Sequence, residues 1–311
     1  MICTQRKDGY KLESTTLTGW AAHGWREAIP ILEHFGEHHL VERYSKILDR
    51  IKESVDRHLR LGNHYAAGFK TESSKIGLKG KPRQIEAESQ VCLIISNLID
   101  PERAKRVLSL VAQKLGTQFG TLNFAPAYPQ VTTDGFTESI DSPGTGRNST
   151  IVTDIIAKII WAETIAGRGD EAYKLLGQIS PLARNSSQST YGIEPYIVAD
   201  SAFGPVHPRF GQGVSGWSSS GAGSLWLVII ERILGVQPVL GGLKIDPCLP
   251  KDWRQVEVTR QFRGADYHIR IQNPFRVSKG IDRIIVDGVR LTGNVIRPFA
   301  RGSHFVEVTL G

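Results

Sequence analysis

Residues 241–274 read GGLKIDPCLPKDWRQVEVTRQFRGADYHIRIQNP, and here the chain changes from a helical to a β pattern. Ahead of this stretch, residues 222–234 (AGSLWLVIIERIL) are apolar on nearly every side, as in a buried helix. After it, apolar residues alternate at period two, and IDRIIVDGVRL (281–291) reads as two strands joined by an Asp-Gly turn. The sequence therefore predicts a helical domain at residues 1–240 and a small C-terminal β-sandwich cap at residues 241–311.

The first 240 residues carry amphipathic helical patterns separated by long polar loops. Residues 17–35, 41–59 and 102–115 place apolar side chains at three- and four-residue steps, and residues 150–166 are apolar on most sides. Long loops rich in Gly and Pro are often functional. Helix pairs with their loops gathered at one end are typical of an α/α toroid, but the helices are too few for a full ring. We therefore predict a mainly α fold, a partial (α/α)6 toroid.

Composition excludes several classes of protein. The chain has 311 residues, 40% of them hydrophobic and 22% charged, which favours a packed core. The formal charge is +7, but the basic residues form no block, so we expect no nucleic-acid partner. No apolar run reaches the roughly 18 residues that span a bilayer, so we expect no membrane segment. Cys3, Cys92 and Cys248 lack metal-ligand spacing, which favours reduced thiols, a cytoplasmic protein and no metal site.

Five segments carry a family resemblance. They are RKDGYKL (6–12), SPGTGRNSTIVTDIIAKIIWAE (142–163), EPYIVAD (194–200), GVSGWSSSGAGSLW (213–226) and ERILGVQP (231–238). In this order they resemble the C-terminal half of the cellobiose and chitobiose phosphorylase family, glycoside hydrolase family 94. The resemblance implies a glycosyltransferase-type activity on a six-hairpin toroid. The implied reaction is inverting phosphorolysis of a β-linked disaccharide or oligosaccharide to a sugar 1-phosphate. Inorganic phosphate is the implied co-substrate, without a cofactor.

The resemblance also implies an acid and two sugar-binding residues. Asp8 matches the Asp of the family's Trp-Asn-Asp-Gly motif, although the Trp-Asn is missing here, and is the candidate general acid. One acid suffices, because phosphate attacks the anomeric carbon from the opposite face and replaces the second carboxylate of an inverting hydrolase. Glu194, in Glu-Pro-Tyr, is suited to bidentate hydrogen bonds with sugar hydroxyls. Gln90 is the second substrate-binding candidate.

Four residues are candidates for phosphate binding. Ser220 and Gly221 match a Thr-Gly pair of the family. A Ser/Gly run at a helix N-terminus offers N–H groups, hydroxyls and the positive end of the helix dipole, but it equally suits simple N-capping. Arg147 and His207 are the further candidates. Asp154 stands where the family has a phosphate-binding His, and a carboxylate there repels phosphate unless Arg147 offsets it.

Two other functions remain open on the sequence alone. The chain could be a truncated, non-catalytic or partner-dependent fragment of such a phosphorylase. It could also be a toroid-type hydrolase or lyase, in which Glu138 or Asp141 faces Asp8 across the cavity. A partial toroid exposes apolar helix faces, so we expect a homo-oligomer or a second polypeptide that completes the barrel, besides carbohydrate and phosphate as ligands.

Overall fold

The computed structural model describes residues 3–5, 11–69, 75–81, 83–129, 132–133, 138–139, 141–184 and 188–311. The helices are α1 Thr15–His34, α2 His38–Ser54, α3 Ala87–Ile95, α4 Pro101–Leu115, α5 Thr153–Ile165, α6 Gly169–Ile179, α7 Pro181–Arg184, α8 Gln188–Tyr191 and α9 Ser220–Leu227. Single π-helical turns, Val55–Leu59 and Val228–Ile233, extend α2 and α9.

Local signals in the sequence explain where the long helices start. The Ser14 side chain accepts from the backbone N–H of Leu17 and caps α1. Asp100 does the same for α4, accepting from the N–H of Arg103 at 2.8 Å, with Pro101 at the first helical position. Helix α5 confirms the buried apolar helix predicted over residues 150–166, since most of its side chains are buried.

The helices form two layers. One layer has the order α1, α3, α5, α9, in which each helix packs against the next. Helix α2 packs on α1, α4 on α3 and α6 on α5, so the second layer covers the first. This alternation of helical hairpins agrees with the helical character predicted from the sequence. Closure into a ring of six hairpins remains a prediction.

Short strands fasten the loops between the helices. They are β1 Cys3–Gln5, β2 Lys11–Ser14, β3 Arg60–Leu61, β4 His64–Tyr65, β5 Gly68–Phe69, β6 Lys75–Ile76, β7 Ile85–Glu86, β8 Gly116–Thr117, β9 Gly120–Thr121, β10 Phe124–Ala125, β11 Thr132–Thr133, β12 Glu138–Ser139, β13 Ile151–Val152, β14 Ser201–Ala202 and β15 Gly213–Val214. Strand β14 pairs with both β13 and β15, so three loops meet beside α5 and α9.

The C-terminal strands form two sheets. The strands are β16 Val236–Val239, β17 Gly242–Ile245, β18 Gln255–Phe262, β19 Ala265–Gln272, β20 Arg283–Val286, β21 Val289–Arg290, β22 Val295–Ile296 and β23 Gly302–Thr309. One sheet has the order β16-β17-β22 and the other β18-β19-β23-β20-β21, in which β19 and β23 run parallel. Asp287 and Gly288 both have positive φ, as the predicted Asp-Gly hairpin requires. Strand β16 precedes the predicted domain boundary and pairs across it with β17.

The core runs without a break from the helices into the sheets. At the junction, Gly169 lies so close to the carbonyl of Leu249 that a Cβ would approach its oxygen to 2.1 Å. The Lys279 ammonium donates to the Thr164 carbonyl at 3.1 Å across the same junction. Cys92 and Cys248 are buried free thiols, as the sequence analysis predicted.

Candidate functional site

The N-terminal turns of α1, α3, α5 and α9 meet at one end of the first layer. Trp20 of α1 donates from Nε1 to Glu88 of α3 at 3.4 Å, and Lys158 of α5 reaches the same carboxylate at 2.5 Å. Ser224 of α9 donates to Asp154 of α5 at 2.7 Å. These four helices therefore run in the same direction, and the loops before them gather above the contacts. We call this end of the molecule the loop end.

Five residues build a polar floor one turn below the loops: Trp20, Glu88, Asp154, Lys158 and Ser224. Lys158 is its centre, because its Nζ lies 2.5 Å from Glu88 and 2.9 Å from Asp154, and 5.2 Å from the centre of the Trp20 indole. The side chains of Glu88, Asp154 and Lys158 are only 22%, 31% and 23% exposed. One ammonium thus serves two carboxylates, which leaves the floor with a formal charge of −1.

The floor favours the ionised forms of Asp154 and Lys158. Partial burial would raise the pKa of Asp154, but hydrogen bonds from Lys158 and Ser224 and the charges of Lys158 and Arg147 together lower it. Burial likewise works against the charged form of Lys158, yet its two carboxylate partners raise its pKa. Arg147 itself lies in an exposed loop, and its charge contributes least to the lowering of the Asp154 pKa.

Above the floor, Glu194 forms part of an exposed rim. Its Oε1 accepts from the indole Nε1 of Trp217 at 3.0 Å. Its own backbone N–H and then this indole N–H lower its pKa, so the carboxylate is ionised at neutral pH. Trp217 is 80% exposed and Tyr196 75% exposed, with Tyr196 at a φ of +68°. The rim therefore presents an anchored carboxylate and two aromatic faces to solvent.

The predicted phosphate turn at Ser220 and Gly221 lies next to this rim. Asp200 Oδ1 accepts from the Ser220 backbone N–H at 3.2 Å and from its hydroxyl at 3.3 Å. Gly221 packs on Thr153, where a Cβ would come within 2.6 Å of that side chain, so glycine allows α9 to approach α5. Within the described part of the chain, the buried Oγ of Ser219 makes no hydrogen bond. The turn is thus partly capped by Asp200 and keeps one spare hydroxyl.

A buried unit holds the rim loop in place. The hydroxyl of Tyr191 donates to the Ile197 carbonyl at 3.1 Å and accepts from the Ala199 N–H at 3.0 Å. The Arg184 guanidinium lies 4.9 Å from the Tyr191 ring and donates to the Gly211 carbonyl. This unit ties the loop of Glu194 to the loop that precedes α9.

The other two residues predicted to bind phosphate are Arg147 and His207. Arg147 is exposed, and its backbone N–H donates to Asp141 at 3.0 Å. His207 stacks on Phe203 with ring centres 4.0 Å apart and packs on Gly144, in the loop that carries Arg147. Its contacts are local, and its binding of phosphate remains a prediction.

Gln90 has an internal role in the structure. It is fully buried, and its side-chain amide donates to the Tyr65 carbonyl at 2.9 Å and accepts from the Tyr65 N–H at 2.8 Å. It also donates to the Glu86 carbonyl at 3.1 Å. All the polar atoms of the amide are therefore engaged with backbone, which accounts for this residue without a substrate.

The candidate acid is outside what the structure describes. Asp8 lies outside the described residues, and so does the side chain of Glu138. The acid role of Asp8 and a facing pair of carboxylates therefore remain predictions. Among the described residues, no group of three His, Cys, Asp or Glu side chains has the arrangement of a metal site. None of the described helices is both long enough and apolar enough to cross a membrane.

Comparison with known proteins finds a matching family and two similar enzymes. The sequence model of the glycosyl hydrolase 94 superfamily catalytic domain matches residues 8–235. The N,N'-diacetylchitobiose phosphorylase of Vibrio proteolyticus is 32% identical over an alignment of 296 positions, which covers 93% of this chain and 37% of that protein. The solabiose phosphorylase of Paenibacillus borealis is 31% identical over 263 residues, which are 84% of this chain and 34% of that protein. The chain spans about a third of the length of these curated relatives.

A solved structure shares the fold at low sequence identity. A sialidase superimposes with a TM-score of 0.56 at 13% identity, over 82% of this chain and 23% of that chain. A likeness at this identity concerns the fold alone.

Proposed function

The chain belongs to the glycosyl hydrolase 94 superfamily, and on that premise we propose that it builds the sugar- and phosphate-binding side of a site for inverting phosphorolysis. The substrate class is a β-linked disaccharide or oligosaccharide, and the product is an α-sugar 1-phosphate. Because the chain spans about a third of its relatives, the proposed site needs polypeptide beyond these 311 residues. Buried free thiols at Cys92 and Cys248 suit a reducing compartment, and we propose the cytoplasm.

The observation that carries the proposal is the rim pair Glu194 and Trp217 beside the Ser220 turn. An ionised carboxylate accepts hydrogen bonds from neighbouring sugar hydroxyls. An exposed indole offers a flat apolar face to the C–H face of a sugar ring, while its N–H fixes the carboxylate. The rim therefore combines both elements of carbohydrate recognition next to a helix N-terminus, where an anion is favoured.

The proposed chemistry needs one acid and one bound phosphate. A phosphate oxygen forms the new bond to the anomeric carbon while the bond to the leaving oxygen breaks, and an acid, here Asp8, donates its proton to that oxygen. Ser220 and Gly221 would hold phosphate with help from Arg147 and His207. The carboxylates of Asp154 and Asp200 oppose this binding, so the Arg147 charge and the spare Ser219 hydroxyl have to offset them.

The test is phosphate-dependent release of sugar 1-phosphate from cellobiose, N,N'-diacetylchitobiose or solabiose. We expect release only with inorganic phosphate present. Glu194→Gln should reduce kcat/KM about 10- to 100-fold, the effect of hydrogen bonds to a charged group. Glu42→Gln, at an exposed position of α2, is the matched control and should leave it unchanged. Folded protein that neither produces sugar 1-phosphate from any of these sugars nor binds them would contradict the proposed site.

One observation favours a second function. Asp200 already occupies two donors of the Ser220 turn, and Asp154 lies close by with a lowered pKa. Both carboxylates disfavour phosphate, which suits a carbohydrate-binding fragment without catalysis. Calorimetry distinguishes the two: saturable heat with the disaccharide, but none with inorganic phosphate, supports binding alone.

A further inference from the structure

The larger C-terminal sheet buries one of its faces and exposes much of the other. Tyr267, Ile269 and Ile271 of β19 point into the core and are fully buried. His268 and Arg270 alternate with them and point outward, because successive residues of a strand face opposite sides of a sheet. The outward side chains of neighbouring strands lie opposite one another and form rows that run across the sheet.

Two of these rows enclose a groove of about 260 Å³ on the outer face of β18, β19 and β23. Neighbouring strands are about 4.8 Å apart, so three strands give the groove a length of about 10 Å. Each row contributes one residue from each strand. The first row is Thr259, His268 and Phe305, and the second is Glu257, Arg270 and Glu307. We call these six residues the cap groove.

The first row forms an aromatic wall. The rings of His268 and Phe305 stack with their centres 5.3 Å apart and their planes 27° apart. Thr259 Oγ1 lies 3.4 Å from His268 Nδ1, so the imidazole is contacted from both neighbouring strands. Phe305 is nevertheless 65% exposed. The wall therefore presents a supported, solvent-exposed apolar ring, which suits contact with the C–H groups of a sugar.

The second row forms a charged wall whose central charge is already paired. Arg270 lies between two carboxylates, and its Nε donates to Glu257 Oε1 at 2.9 Å. Two carboxylates and one guanidinium give the row a net formal charge of −1, which disfavours anions. A cation would compete with Arg270 for its carboxylates. A neutral ligand rich in hydroxyl groups can donate to the carboxylates and accept from the guanidinium without separating the pair.

We propose that the cap groove is a carbohydrate-binding site, separate from the rim, that takes a neutral oligosaccharide. It combines the two elements found at the rim, an exposed aromatic side chain and a carboxylate held by an N–H donor. Addition of a peptide strand is disfavoured, because the backbone groups of β19 are already paired with β18 and β23 on both sides. The inference goes beyond the proposed function, since it concerns binding alone and involves neither phosphate nor an acid.

Titration of the full chain with cellotetraose or tetra-N-acetylchitotetraose, followed in ¹H–¹⁵N spectra, tests the cap groove. We expect the backbone amide resonances of His268 and Arg270 to shift and saturate. Phe305→Ala should raise the dissociation constant at these resonances about tenfold, while Phe305→Tyr, which keeps the ring, should preserve it. Phe275→Ala is the matched control, since Phe275 is similarly exposed, at 67%, and lies outside the groove. Circular dichroism checks that all variants are folded.

A rim variant separates this site from the candidate functional site. Glu194→Gln combined with Trp217→Ala should leave the groove shifts unchanged, and Phe305→Ala should leave the response of Trp217 unchanged. Saccharide binding at the groove in a protein that releases no sugar 1-phosphate would support the cap groove and count only against the proposed catalysis. Groove resonances that stay in place at high saccharide concentration, as expected if another polypeptide covers this face, would overturn the proposal. So would wild-type affinity in Phe305→Ala.

Discussion

The two ends of α5 (Thr153–Ile165) hold charged groups in opposite ways. At its N-terminal end, Asp154 and Lys158 belong to the floor, where hydrogen bonds keep the carboxylate ionised. At its other end, Glu163 is only 2% exposed, and burial raises its pKa from 4.5 to about 7. Arg168 Nε lies 2.9 Å from Oε2, but without the alignment of a hydrogen bond among the described residues.

The contrast shows that hydrogen bonding and burial have opposite effects on the two carboxyl groups of α5. Two carboxylates and an ammonium share hydrogen bonds at the loop end, where a polar ligand arrives. At the far end, burial raises the pKa of Glu163 to about 7, so this carboxyl group is about half protonated near pH 7. Along α5, hydrogen bonds therefore favour the ionised carboxylate at the end of the candidate site, and burial favours the protonated carboxyl group at the other end.

The largest effect is expected from Lys158→Met. This change leaves Glu88 and Asp154 together without their cation, so the free energy of unfolding should fall by about 2–3 kcal/mol, somewhat below the value for a fully buried pair. Urea unfolding at pH 7 measures it. Lys46→Met is the control, since both side chains of its pair with Glu42 are exposed and its loss should have a much smaller effect.

Acid should reduce the effect of Lys158→Met. The pKa of Asp154 is lowered in the folded chain, so the stabilisation is present above its unfolded value of about 3.9 and is lost as the pH falls below it. An undiminished difference between wild type and Lys158→Met at pH 3 would contradict the pairing.

A comparable effect of opposite pH dependence is expected at Glu163. The folded chain holds this proton more tightly than the unfolded chain, so stability falls as the pH rises from about 4.5 to about 7, by on the order of 2–3 kcal/mol. Glu163→Gln should remove that slope and be more stable than wild type at pH 8. Thermal or urea unfolding of both proteins at pH 5 and pH 8 measures this difference in stability. A wild type that is more stable than Glu163→Gln at pH 8 would contradict the raised pKa of Glu163.

The smallest stability change is expected at the rim. Glu194 and Trp217 are exposed, so Glu194→Gln and Trp217→Ala should leave the midpoint of urea unfolding nearly unchanged. Their sugar binding, followed by calorimetry, should nevertheless fall. A large loss of stability in either variant would mean that the pair has a structural role.

Much of the fold is readable in the sequence because its signals are local. Helix α5 and the hairpin at Asp287 follow from apolar periodicity and an Asp-Gly turn. The helix predicted over residues 222–234 begins earlier, at Ser220, and continues as a π-helical turn. The change from an α-helical to a π-helical turn depends on packing against neighbouring elements. The periodicity of apolar residues along the sequence does not contain this information.

The candidate site also has parts that the sequence predicts and parts that depend on contacts between distant residues. Glu194 and Ser220 stand in contiguous motifs, and the structure brings their loops together through Asp200 and Trp217. The floor was missed because Lys158 meets Glu88 across 70 residues, although the four-residue step from Asp154 to Lys158 is visible in the sequence. The environment of Gln90 also depends on a distant contact. Its side-chain amide forms hydrogen bonds with the backbone of Tyr65, which the sequence does not reveal.

Carbohydrate recognition at the rim is tested most directly by the indole N–H resonance of Trp217 in ¹H–¹⁵N spectra. During titration with cellobiose or N,N'-diacetylchitobiose, this resonance should shift and saturate in the wild type and stay in place in Glu194→Gln. Trp253, which packs on Tyr173, is the internal reference. A Trp217 resonance that does not move at high sugar concentration, or that moves only together with Trp253, would contradict a sugar site at Glu194.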